Sequence, residues 1–127
     1  MQSISEKARA KPPVSEMPAH ERPISEEFRI AAKDWVEKDK AASLLEETKT
    51  AVLSQMMLKQ GDVPVSRAEM HVKASSQWTE FISSMVEARS AANLARVRMK
   101  YIEMRFAEWT SKDANARRER QMGRQAT

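Results

Sequence analysis

Between Trp78 and Trp109 the chain carries an unbroken heptad repeat. Counted from Trp78, the first heptad position is held by Trp78, Met85, Ala92, Met99 and Phe106, and the fourth by Phe81, Ala88, Ala95, Ile102 and Trp109. All ten are apolar. An apolar repeat of 3.5 residues sustained over five heptads is the signature of a helix that lies along a partner helix. It predicts a helix over about 77–120, several times longer than the three or four turns usual in a globular domain. The seam is small in the middle, at Ala88, Ala92 and Ala95, and large at its ends. Small residues let two backbones approach, and Trp78 with Phe81 at one end and Phe106 with Trp109 at the other are expected to lock the pair.

The partner is legible upstream. Trp35, Ala42, Leu45, Val52 and Met56 recur at three-, four- and seven-residue steps, and Gly61 follows as a residue suited to the left-handed turn that ends a helix,. The helix so defined covers about 28–60, with Ser25 as N-cap candidate and Glu26 and Glu27 in its first turn,. GDVPVS reads as a turn, Ser66 with Glu69 has the capping-box spacing for a short helix over 66–74, and the Ser75–Ser76 pair predicts a break before the long helix,. Hydrophobic residues are 41% and charged residues 31% of the chain, with only two glycines; this is a bundle composition, not a sheet composition. The expected fold class is all-α, an antiparallel helical hairpin or coiled-coil-like bundle with a long C-terminal helix. Residues 1–24 hold four of the five prolines and are expected as a disordered tail. One helical domain is expected over 25–122, and 123–127 as a flexible end.

Charge is unevenly placed. The net charge is +4, but the segment from Arg89 onward carries +6 and residues 1–88 carry −2, so an anionic partner is drawn to the C-terminal third. The candidate DNA-binding side chains are Arg96, Arg98, Lys100, Arg105, Lys112, Arg117, Arg118, Arg120 and Arg124. Arg89 and Arg96 on one flank of the seam, and Arg98, Arg105 and Lys112 on the other, also have the positions from which coiled-coil charges pair with a partner helix. Glu37, Asp39, Glu46 and Glu47 are the carboxylates available to them. Arg117, Arg118, Arg120 and Arg124 lie beyond the seam and are freer to touch phosphates. A second apolar stripe, Leu94, Val97, Tyr101 and Met104, runs on nearly the opposite side of the long helix. Covering it requires either the short helix or another subunit, and a homo-oligomer is expected.

Enzyme chemistry is not expected. The histidines are His20 and His71, without metal-ligand spacing, and the glycines Gly61 and Gly123 form no phosphate loop,. No carboxylate pair is marked as an acid–base couple. There is no cysteine, which excludes disulfides and thiolate zinc sites,. No metal or cofactor is implied. The opening residues MQSISEKARAKPP lack an apolar signal core, and no window approaches eighteen apolar residues, so a soluble cytoplasmic protein without membrane contact is expected.

The segment SRAEMHVKASSQWTEFISSMVEARSAANLARVRMKYIEMRFAEW, followed by SKDANARRER, resembles small helical proteins of bacteriophage and prophage genomes. These end in a long helix with a Trp near its close and an Ala-x-x-Arg tail, here Trp109, then Ala114 and Ala116 to Arg117. More distantly, residues 33 to 118 are similar in layout to the phage recombination mediators of the UvsY type. That resemblance implies an all-helical protein that oligomerises, binds single-stranded DNA and assists a recombinase or a single-strand-binding protein. It carries over no individual DNA contact, and the Pro-rich N-terminal segment departs from it. The reading that competes with DNA binding is a non-enzymatic coiled-coil adaptor, scaffold or host-protein inhibitor.

Overall fold

The computed structural model describes residues 23–126. Residues 1–22 of the expected tail, His20 among them, fall outside the described residues, and Ile24 belongs to the first helix. Three helices follow in order: α1 (Ile24–Leu58), α2 (Val65–Lys73) and α3 (Ser76–Ala126). No strand occurs among the described residues, and the protein is all-α as the repeat and composition require.

Helix α1 starts four residues earlier than its apolar spacing indicates. The amides of Glu26 and Glu27 both donate to the Pro23 carbonyl at 3.0 Å, so Ser25 sits inside the first turn instead of capping it. Glu26 and Glu27 are the acidic residues of that turn, where the helix dipole favours them. At the other end α1 tightens, with Gln60 N–H donating to Met57 and Gly61 N–H to Leu58 three residues back,. Gly61 then takes φ +81°, the left-handed conformation that only glycine adopts without steric cost.

The capping box expected at Ser66 does not form. The N-cap of α2 is Pro64, at φ −53° and ψ 142°, and no side chain caps it. Ser66 is therefore already helical, whereas a capping serine must be extended for its oxygen to reach the amides ahead of it. Glu69 pairs instead with Lys73 at 2.8 Å, one turn on. The break at the serine pair is real and has a mechanism: Ser75 Oγ accepts from the Trp78 amide at 3.2 Å, capping α3. Helix α3 runs through Ala126, six residues past its expected end, so residues 123–126 are helical.

Among the described residues the chain divides into two compact units: a central unit of residues 32–98, and a terminal unit of residues 23–31 together with 99–126. In the central unit α1 and the first part of α3 run antiparallel. Arg89 on α3 reaches Asp39, Ser43 and Glu46, and Arg96, seven residues on, reaches back to Trp35. The core here is Ala42, Ala68, Val72, Trp78, Ala92 and Ala95, all under a tenth exposed. Four of the six are alanines, so burial comes from close backbone approach more than from bulky side chains. Ala68 and Val72 are one turn apart and bring α2 into this core by a single face. In the terminal unit, Met99 and Ile102 are half-buried, and Glu27 on α1 accepts from Arg105 at 3.5 Å.

Candidate nucleic-acid interface

The nine basic residues singled out in the sequence fall into three groups, with Arg117 belonging to both the first and the third. The first is committed inside its own unit. The guanidinium of Arg96 lies 6.0 Å from the Trp35 ring centroid, a cation–π distance. Arg105 is shared between Glu27 and the Tyr101 ring, 6.0 Å away. Arg117 pairs with Asp113 at 2.6 Å, one turn back; exposed pairs of this kind contribute little and are readily exchanged for another anion.

The second group, Arg98, Lys100 and Lys112, is exposed and has no carboxylate within ion-pair distance among the described residues. These three are spread around the helix at wide intervals, so they do not form one patch.

The third group is gathered. Arg117, Arg120 and Arg124 stand at three- and four-residue spacing on the last turns of α3, and with Gln121 they line a shallow concavity of about 190 Å³,. Arg118 adds a fourth exposed guanidinium beside them. Only Glu119 among residues 114–124 is acidic. The arrangement presents planar, multi-donor cations to solvent, as phosphate binding needs.

Arg89 was not among the nine, and its surroundings explain why it is unsuited to a ligand. It donates to Asp39 Oδ1 at 2.6 Å, to Ser43 Oγ at 3.2 Å and through Nε to both Glu46 oxygens at 3.2 Å. Those hydrogen bonds hold the Glu46 carboxyl below its ordinary range and the Arg89 guanidinium further above its own. Of the four carboxylates expected opposite the arginines, Asp39 and Glu46 take that role; Glu37 and Glu47 remain exposed. No cluster of three or more metal-ligating side chains occurs among the described residues, and His71 is exposed.

The apolar positions divide as sharply. Trp78, Ala92 and Ala95 are buried, and Phe81, Met85, Ala88, Met99 and Ile102 are half-buried. Phe106 and Trp109, expected to close the seam, are instead 49% and 57% exposed. The reason lies in lengths: in the terminal unit α1 contributes only residues 24–31, while α3 contributes 99–126. Eight residues of helix cover about 12 Å: Phe106 still meets Ile24 and Phe28, but only across an open cleft, and α3 runs on past them. The second stripe is uncovered too, with Leu94 54%, Val97 64%, Tyr101 62% and Met104 63% exposed. Helix α2 buries its own apolar face, Ala68 and Val72, in the central core and leaves the stripe exposed.

No family model matches the chain, and neither a curated protein nor a solved structure matches it. No helix among the described residues is long and apolar enough to cross a membrane.

Proposed function

We propose that the protein is a bacteriophage accessory protein of DNA recombination or replication that binds single-stranded DNA without sequence preference through the end of α3. The observation that carries this reading is the exposed arginine cluster Arg117, Arg118, Arg120 and Arg124, set on a helix segment whose apolar seam has already ended. Guanidinium groups on phosphates release condensed counterions and so supply affinity that ignores sequence. Arg98, Lys100 and Lys112 add to the field that draws the strand in. Binding requires no catalytic group, in keeping with a protein that is not an enzyme and acts in the host cytoplasm beside a recombinase or single-strand-binding protein.

The test is anisotropy of a labelled single strand titrated with protein at several salt concentrations. Affinity is expected to fall steeply with salt. Replacing Arg117, Arg118 and Arg120 by Glu is expected to lower the affinity and to reduce the slope of log K against log salt by about 2, since each single-strand phosphate contact contributes about 0.7. Absence of binding by the folded protein at low salt would sink the reading.

A specific observation favours the second reading, a coiled-coil adaptor, scaffold or host-protein inhibitor. The four residues of the uncovered stripe are each more than half exposed, and apolar side chains in a row mark protein contacts more often than nucleic-acid contacts. The two readings part on the same titration, because an adaptor leaves the strand unbound.

A further inference from the structure

The three- and four-residue spacing of the seam does not stop where its cover stops. Phe106 and Trp109 are followed on the same face of α3 by Asp113, Arg117, Arg120 and Arg124,. The two aromatic rings stack on each other, with centroids 6.4 Å apart and planes inclined by 28°. About half of each side chain is open to solvent. Phe106 also lines an apolar cleft of about 310 Å³ with Ile24, Ser25, Phe28 and Glu103. A single helix face thus presents flat apolar surface first and guanidinium groups next, with Trp109 about 12 Å from Arg117 and about 22 Å from Arg124 along the axis.

We infer that Phe106 and Trp109 form a base-stacking platform, on which single-stranded DNA lays one or two bases while its phosphates run onto the arginines. This rests on the single-strand reading above. Charge on this face selects the occupant. A strand offers both an apolar π-face and a regular line of negative charge, and the face offers their complements in the same order. Glu103, at the rim of the cleft, repels phosphate and so keeps the sugar–phosphate chain toward the arginine end. The pair Asp113–Arg117 lies between the two regions and orients one guanidinium along the face.

The experiment compares two labelled strands of equal length, oligothymidylate and an abasic sugar–phosphate chain, which carry the same phosphates and differ only in having bases. The full-length protein is expected to bind the base-bearing strand roughly tenfold or more tightly, the worth of one stacked base. Replacing Phe106 and Trp109 together by Ala is expected to abolish that preference and leave the salt slope unchanged, while Trp109→Phe keeps most of it. Since both side chains are half exposed, the melting midpoint is expected to stay near wild type, and Trp109→Ala alone, expected to lose most of the preference, serves if the double variant does not fold. Equal affinity of the wild type for the two strands overturns the platform and leaves phosphate binding standing. Binding of neither strand overturns both. A preference that survives the double Ala variant while its association state changes assigns the pair to an interface between copies and overturns the platform.

Discussion

Arg89 shows how much one residue of this chain organises. It clasps Asp39, Ser43 and Glu46 on α1 at once and so fixes the antiparallel register in the central unit, in the way a charge flanking a seam selects orientation. Because its hydrogen bonds depress the Glu46 carboxyl, that part of the stabilisation is present above the ordinary Glu pKa of 4.5 and is lost as pH falls through the lower value in the folded protein. The raised Arg89 value acts only in strong alkali and leaves neutral pH untouched. Thermal melting of wild type and Arg89→Ala is expected to show the variant less stable at pH 7, with the gap closing as pH drops below 4.5. At the α1–α2 turn, Gly61→Ala meets open space but keeps φ at +81°, so it is expected to cost about 1 kcal/mol in denaturant unfolding. Gly61 was legible in the sequence because the turn it occupies admits little else. The Ser66–Glu69 box misled because Pro64 fixes the entry into α2 two residues too early for Ser66 to serve as the cap.

At the scale of elements, the heptad repeat told which face of α3 is apolar and that it meets α1, and both follow from periodicity alone. It could not tell how far the cover extends, because that depends on where α1 begins, and α1 contributes only eight residues to the terminal unit. Hence Ala92, at 0% exposure, and Phe106, at 49%, hold the same heptad position with opposite surroundings. Their substitution is expected to separate them. Ala92→Leu forces a larger side chain into the closest approach of the central unit and is expected to cost about 1–3 kcal/mol. Phe106→Ala removes a half-exposed ring and is expected to cost under about 1 kcal/mol. Urea unfolding of both variants checks the pair of values, and equal losses would mean that α3 is covered along its whole seam. The same limit explains the arginines. Sequence put Arg96 and Arg105 beside the seam, but which of them was already occupied depended on Trp35 and Glu27, residues distant in the chain.

Two properties of the whole molecule are unsatisfied within one chain: the positive excess from Arg89 onward and the apolar side chains that neither unit covers. On α3 these include Val86, Leu94 and Val97 in the central unit, at 55%, 54% and 64% exposure, and Tyr101 and Met104 in the terminal unit. Burying such residues against a second copy removes them from water without moving either unit's core. It also places several arginine clusters in one particle, and linked weak sites gain about 10²–10⁴ in overall affinity when a ligand spans them. The expected outcome by light scattering is an oligomer of the wild type at micromolar concentration and a monomer for Leu94→Glu with Val97→Glu. Both replaced side chains are more than half exposed, so the variant's melting midpoint is expected to stay near wild type. The functional consequence distinguishes assembly from the site itself. A strand too short to reach two subunits is expected to bind wild type and variant alike. A long strand is expected to bind the variant roughly a hundredfold more weakly. A wild type that remains monomeric in light scattering refutes the assembly and leaves each α3 terminus to bind alone, in which case the long and short strands differ only by the number of sites they offer.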